Sequence, residues 1–348
     1  MNCEVSDVFF LLSGEHPTLP WAELRAVLEA ESCVYFVKES LGQVVRLSVD
    51  EGALAKVAAR CGMTRVGCAE IAFTKSSHGE IVETLRRVDF SHFLEAGTGI
   101  AVRVIRVGKV PSSAVEPLER EVGKLVVSGM PGLRVDLKGP QVVLVGVLSP
   151  YFFILGASKG PLLKKPFFQR RPRKRPFFHA TAMSVKLSRC MVNLARPRRG
   201  TLVLDPFCGT GSIMVEAGLM GFRVAGGDVQ ERMVKGCSTN LRHFGLDPGL
   251  ILHDARKTPF RKADCIVGDP PYGRAATTLS LDARDILRAF FNESRSILAK
   301  DGYICLAFPQ ALDIKELGVG AGLFLVESHL LYVHKSLTRE IAVFRKDN

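Results

Sequence analysis

The most chemically loaded stretch of the chain is Asp269, Pro270, Pro271 and Tyr272, directly after the apolar, strand-like run 264–268. A carboxylate, two ring-locked residues and an aromatic at the mouth of a buried strand suit the grip of a planar nitrogen nucleophile. The prolines fix φ at about −65° and remove two backbone donors, so the turn presents acceptors. The Asp269 carboxylate and the Pro270 carbonyl can accept hydrogen bonds from an amino group while Tyr272 stacks on the ring that carries it. An exocyclic amine is a poor nucleophile because its lone pair is delocalised into the ring. Accepting its N–H bonds favours pyramidal geometry and frees that pair. Alone, the turn says only that a planar amine is the target, on DNA, RNA or protein.

Upstream, Asp205, Pro206, Phe207, Cys208, Gly209, Thr210, Gly211 and Ser212 follow a second apolar run, 201–204. Gly209 and Gly211 let backbone approach a ligand closely, and Thr210 and Ser212 are placed to cap the following helix. A dinucleotide loop requires glycine at 214, where this chain has methionine, and Asp205 would repel a pyrophosphate. The Asp205 carboxylate suits a cationic amino group instead. Asp228 closes the next strand and can accept both hydroxyls of a ribose. Asp254 closes the strand after that and, with the Ala255 amide, can read an adenine amino edge. Three carboxylates ending three successive strands are harder to dismiss than any one. His179 and Thr181, just before the first helix of this half, are placed to border the same pocket. The two segments together resemble the cofactor loop and catalytic loop of S-adenosylmethionine-dependent amino-methyltransferases.

The elements that must hold these residues are legible from residue 179 onward. An apolar helical stripe (Met183, Leu187, Cys190, Met191, Leu194) precedes strands near 201–204, 223–226, 250–253, 264–268 and 302–308. Helices near 212–220, 231–244 and 283–298 alternate with them, which predicts a mostly parallel sheet covered on both faces. Segments 323–333 and 340–345 read as a closing antiparallel pair. The expected fold class is α/β: a Rossmann-like class I methyltransferase sheet, preceded by ferredoxin-like and THUMP α+β domains. The boundaries are drawn at 1–63 (a β-α-β-β-α, ferredoxin-like unit), 64–158, a basic linker 159–178, and 179–348. In the first segment, Thr18 is placed to cap a helix with Pro20 in its first turn and Trp21, Leu24, Val27 and Leu28 on one face. In the second, residues 135–147 resemble the signature of a THUMP RNA-binding module. A plain β-hairpin turning at Lys138, Gly139 and Pro140 is the simpler alternative.

Charge narrows the partner. The 348 residues carry a formal net charge of +12, which favours a polyanion, either nucleic acid or an anionic membrane surface. Lys164, Lys165, Arg170, Arg171, Arg173, Lys174 and Arg175 are interleaved with prolines and phenylalanines, and no acidic residue lies between 151 and 178. The run reads either as a solvated, proline-stiffened linker or as a strap contacting RNA phosphates, the second being favoured on so basic a chain. Nine scattered cysteines include no Cys-x-x-Cys pair, so no metal site is expected, and most read as reduced core thiols. No apolar run reaches the length of a bilayer span. The acidic start is not that of a signal peptide, and a cytoplasmic location is expected.

The opening 11–20, the 135–147 segment, 205–212 and 269–274 occur in the order found in the archaeal tRNA (guanine-10) N2-methyltransferase family, which the chain resembles over nearly its whole length. That resemblance implies transfer of one or two methyl groups from S-adenosylmethionine to the 2-amino group of guanosine 10 of tRNA. It assigns Asp269, Pro270 and Tyr272 to catalysis, and Asp205, Gly209, Gly211, Asp228 and Asp254 to the cofactor. It also implies that relatives can pair with a small zinc-binding activator subunit. A THUMP-bearing enzyme for another tRNA guanosine, such as position 6, a DNA adenine-N6 methyltransferase and a nonenzymatic RNA-binding protein are the competing readings.

Overall fold

The computed structural model describes residues 5–50, 52–159, 166–247, 249–270, 283–335 and 337–347. Pro271, Tyr272, Lys164 and Lys165 lie outside the described residues. Two compact units divide the chain. The first holds the described residues of Met1–Gly14, Cys33–Ala58 and Thr64–Lys165, and the second holds those of Glu15–Ser32, Ala59–Met63 and Pro166–Asn348.

The first half of the chain runs β1 (Val5–Leu12), α1 (Leu19–Ala30), β2 (Tyr35–Leu41), β3 (Val44–Asp50), α2 (Ala53–Arg60), β4 (Thr64–Lys75), α3 (His78–Arg86), β5 (Gly99–Arg106), α4 (Val115–Gly129), β6 (Arg134–Val135), β7 (Val142–Leu148) and β8 (Phe152–Lys159). The strands of the first unit form one sheet in the order β2-β3-β1-β4-β8-β7-β5-β6. β4 pairs with β1 along one edge and with β8 along the other, Ala69 facing both Val8 and Ala157. The segments divided in sequence at residue 63 therefore share a continuous sheet. Period-two alternation sorts the core: Val143, Val145 and Val147 of β7 pack on one face with Phe9, Leu11 and Ile154. Leu144 and Leu148 pack on the other with Phe153, Val122 and Val126. β6 and β7 lie on opposite sides of β5, so residues 135–147 do not form the hairpin considered above. The turn between them is held by Asp136, whose Oδ1 accepts from the Lys138 and Gly139 amides at 2.9 Å each. The regular pattern also continues past residue 151 as β8, which the proline- and charge-rich sequence after it obscured.

The second half runs α5 (Val185–Leu194), β9 (Leu202–Asp205), α6 (Ser212–Leu219), β10 (Arg223–Asp228), α7 (Glu231–His243), β11 (Leu250–Leu252), β12 (Ala263–Gly268), α8 (Ala283–Ile297), β13 (Leu298–Pro309), α9 (Ile314–Gly320), β14 (Phe324–His334) and β15 (Leu337–Arg345). The sheet order is β11-β10-β9-β12-β13-β15-β14. The first five are parallel, and β15 and β14 close the sheet antiparallel. β9 is the first strand of this sheet, and its successors are laid to opposite sides of it. That makes the C-terminal ends of β9 and β12 the switch point where such sheets bind ligands. Among the described residues no helix is long and apolar enough to cross a membrane.

α1 belongs to the second unit, and its packing explains why. Leu19, Ala22 and Ala26 join Leu187, Cys190, Met191 and Leu194 of α5 in one core cluster. Leu19, Leu24, Val27 and Leu28 are each fully buried, contributing about 1.5–3 kcal/mol apiece. Burial extends beyond the stripe read from sequence and includes Glu23. Its carboxylate accepts from the amides of Gly62 and Met63 (2.7 Å each) and from Asn193 Nδ2 (2.8 Å). Thr18 stands at the N-cap position but makes no cap bond; its hydroxyl pairs with His329 Nδ1 at 2.8 Å instead.

Candidate active site

Four carboxylates stand at or just beyond the C-terminal ends of four adjacent parallel strands: Asp254, Asp228, Asp205 and Asp269, following β11, β10, β9 and β12. Asp205 is buried (1% exposed). Its Oδ1 accepts from the Phe207 amide at 3.1 Å. β10 approaches so closely that a Cβ on Gly226 would lie 2.3 Å from the Asp205 carbonyl oxygen, which is why glycine stands there. The loop beyond Asp205 is tied down from β10 and α7. Cys208 donates its amide to Gly227 O (2.8 Å), Gly209 donates to Asp228 Oδ2 (3.1 Å), and Asn240 Nδ2 donates to Thr210 O (2.9 Å). Gly211 has φ +81°, and a Cβ there would sit 2.6 Å from Cys237 Sγ. Both left-handed geometry and space demand glycine at that position. Gly211 is itself the N-cap of α6, without a side-chain cap bond. The expected capping by Thr210 and Ser212 is therefore absent, because the Ser212 hydroxyl accepts from Arg175 NH1 (2.7 Å).

A cleft lined by Thr181, Met183, Asp205, Phe207, Gly209, Thr210, Met233 and Asp269 brings the first and last of the sequence-predicted carboxylate strands together. Burial pushes the Asp205 carboxyl well above the usual range. The Phe207 amide opposes that shift, and the negative charges of Asp228 and Asp269 add to it. Burial likewise raises Asp228, whose carboxylate accepts from the Gln230 and Gly209 amides. A site with this much desolvated negative charge is built to receive a cation. Asp254 differs: Arg256 binds it through Nε at 2.9 Å and holds its carboxyl below the usual range against partial burial. Ala255 beside it is buried. Thr181 lines the cleft and its hydroxyl pairs with His179 Nδ1 at 2.8 Å. Pro270 is buried directly after Asp269.

The basic run does not act as one unit. Arg170 forms a two-pronged pair with Glu216 (2.8 and 3.0 Å), a fully buried carboxylate on α6 that also accepts from Arg189 (3.0 Å). Arg175 is buried as well, donating to Ser212 Oγ and to Arg170 O. The Phe177 ring fills the space above Gly236 of α7, where a Cβ would lie 2.1 Å from it. The strap is thus sewn onto the helices that flank the cofactor loop; Arg170 drops out of the phosphate-contacting set because Glu216 pairs its charge, and Arg175 because it is buried. Arg171, Arg173 and Lys174 are exposed. Lys174 Nζ lies 3.8 Å and Arg171 Cζ 4.6 Å from the centre of the exposed Phe168 ring, and Arg173 Cζ lies 6.0 Å from that of Phe178.

Two contributors escaped sequence reasoning. Glu216 carries a signal in retrospect, as the single charged residue of α6. Arg339 carries none: it sits in β15, far along the chain, and its NH1 lies 3.3 Å from Asp269 Oδ2.

Comparison with known proteins agrees with this geometry. A family profile described as "RMKL-like, methyltransferase domain" matches residues 172–341. The chain is 37% identical to the tRNA (guanine(10)-N2)-dimethyltransferase of Methanothermobacter thermautotrophicus, over 98% of this chain and 99% of that one. It is 29% identical to the protein of the same description in Methanocaldococcus jannaschii, over 97% and 99% respectively. Among solved structures, TrmN from Thermus thermophilus superposes with a TM-score of 0.54 at 22% identity, covering 98% of this chain and 99% of its own, a likeness of fold. The chain belongs to the tRNA (guanine(10)-N2)-dimethyltransferase family.

Proposed function

We propose that this protein transfers one or two methyl groups from S-adenosylmethionine to the exocyclic N2 of guanosine 10 in tRNA. The observation that carries the reading is the shared cleft: Asp269, opening the turn after β12, faces the same space as buried Asp205 after β9. The donor set fits the cofactor. Asp205 offers a buried carboxylate to the cationic methionine end, Asp228 offers acceptors to ribose hydroxyls, and Asp254 with the Ala255 amide offers an edge for adenine. Gly209 and Gly211, on either side of Thr210, supply backbone that comes close without side-chain obstruction. When bound, S-adenosylmethionine supplies a methyl carbon already activated by its sulfonium. The chain's own task is then to present the amine: Asp269 and the Pro270 carbonyl accept its N–H bonds, and the sequence motif assigns Pro271 and Tyr272 to the same task. The target base must be unpaired or flipped to reach such a cleft.

tRNA as substrate is supported by the family, by the +12 charge and by the exposed Arg171, Arg173 and Lys174 beside two exposed phenylalanine rings. Cations and aromatic faces together suit phosphates and unstacked bases. We read residues 64–158 as a THUMP-type RNA-holding module. The described cysteines are all buried, as reduced core thiols are, which supports a reducing, cytoplasmic location. The test is transfer of a labelled methyl group from S-adenosylmethionine to tRNA and to duplex DNA, by wild type and by Asp269→Ala. Label enters tRNA alone, and the variant loses roughly a hundredfold or more in rate while binding cofactor and tRNA. Label in DNA, or a variant retaining more than a few per cent of the rate, overturns the reading.

A further inference from the structure

Asp269 shares its cleft with Asp205, and Asp228 lies close enough to Asp205 to raise its carboxyl further. Carboxylates gathered in a poorly hydrated cleft resist simultaneous ionisation, because each charge disfavours the others. Yet Asp269 is useful to an amine only when ionised: a protonated carboxyl turns one of its two acceptors into an O–H donor. Something must hold the charge on Asp269 before any ligand arrives. Arg339 meets that requirement. Its β15 register sets it beside Pro309, at the end of β13, and from there the side chain reaches the turn after β12, ending 3.3 Å from Asp269 Oδ2. Both side chains are largely removed from water, 15% and 20% exposed, so screening is weak. The neighbouring Glu340 is occupied elsewhere, by Lys315 and Ser328.

We infer that Arg339 is a positioning residue for methyl transfer, keeping the Asp269 carboxylate ionised and aimed at the incoming amino group. The inference rests on the proposed reaction. A guanidinium suits this role because it cannot lose its proton in the working range, and here its NH1 stands beside Asp269 Oδ2. Among the described residues, Asp205 from the end of β9 shares the cleft and favours a proton on Asp269, Asp228 from β10 stands beyond Asp205, and Arg339 from β15 opposes that proton.

The experiment is single-turnover methyl transfer to tRNA at saturating S-adenosylmethionine, across pH, for wild type, Arg339→Gln and Arg339→Lys. Cofactor and tRNA affinities are measured on the same preparations. The glutamine variant is expected to lose about 10- to 100-fold in rate near neutrality. The acid limb of its profile moves to higher pH by roughly one unit or more. Affinities stay within about threefold, and lysine restores part of the rate and of the acid limb. A limb midpoint is independent of how much of a preparation is folded, so a less stable variant still decides. An unchanged acid limb in Arg339→Gln, or an unchanged rate with weakened tRNA binding, overturns the inference. A wild-type protein that methylates no tRNA overturns the proposed function instead, so the two failures are distinguishable.

Discussion

Replacing Asp205 by asparagine separates the two roles assigned to it: a cost to the empty protein and an anchor for a cationic ligand. The substitution is nearly isosteric, and an asparagine oxygen can still accept the Phe207 amide, so the loop keeps its tie. What disappears is a charge that burial and two neighbouring carboxylates oppose. A folded carboxyl raised above its ordinary value of 3.8 stabilises the fold fully below that value. This contribution is lost as pH rises through the raised one. The ligand-free wild type therefore sheds stability across that interval, and Asp205→Asn lacks that slope and is at least as stable at neutral pH. Cofactor binding moves the other way. Exchanging a charged acceptor for a neutral one against a cation costs about 1.5–3 kcal/mol, or roughly 10- to 150-fold in Kd for S-adenosylmethionine. Because the cation competes with a proton for Asp205, wild-type affinity falls as pH drops through the raised value, and binding releases protons. Calorimetry in buffers of different ionisation enthalpy measures that release directly. A variant that binds as tightly as wild type, or a wild-type affinity flat with pH, refutes the electrostatic argument.

The divided strap predicts divided phenotypes. Removing Arg171, Arg173 and Lys174 together lowers tRNA affinity and flattens its salt dependence by a slope of roughly two to three, measured by filter binding over a salt series. Arg170→Ala leaves that slope unchanged and instead costs about 3 kcal/mol in urea unfolding, because Glu216 keeps only Arg189 in a buried setting. Gly226→Ala forces a Cβ to within 2.3 Å of backbone, which no rotamer change can relieve. It should destabilise by about 1–3 kcal/mol and weaken S-adenosylmethionine binding, both readable in one thermal-shift series.

How much was legible in advance follows from the range of each interaction. β9, β10, β12 and their following carboxylates were readable because apolar runs end abruptly in Asp, Gly or Pro, a purely local signal. The closing antiparallel pair was equally local. α1 was recognisable as a helix, but not as part of the second unit. That assignment depends on Glu23 finding Gly62, Met63 and Asn193, contacts made by parts of the chain remote from one another. The basic run misled for the same reason. Seven cations within residues 164–175 look alike in sequence, while in the fold a buried acid on α6 claims Arg170 and a serine claims Arg175. Arg339 shows the limit most sharply, since only the order β12-β13-β15 brings it to Asp269.

The most direct test is mass spectrometry of nuclease fragments from an unmodified tRNA transcript incubated with the protein and S-adenosylmethionine. A matched transcript lacks guanosine at position 10. The account predicts one or two methyl groups on N2 of guanosine 10, and none in the substituted transcript. Methylation at another nucleotide, or no cofactor-dependent gain in mass, would contradict it.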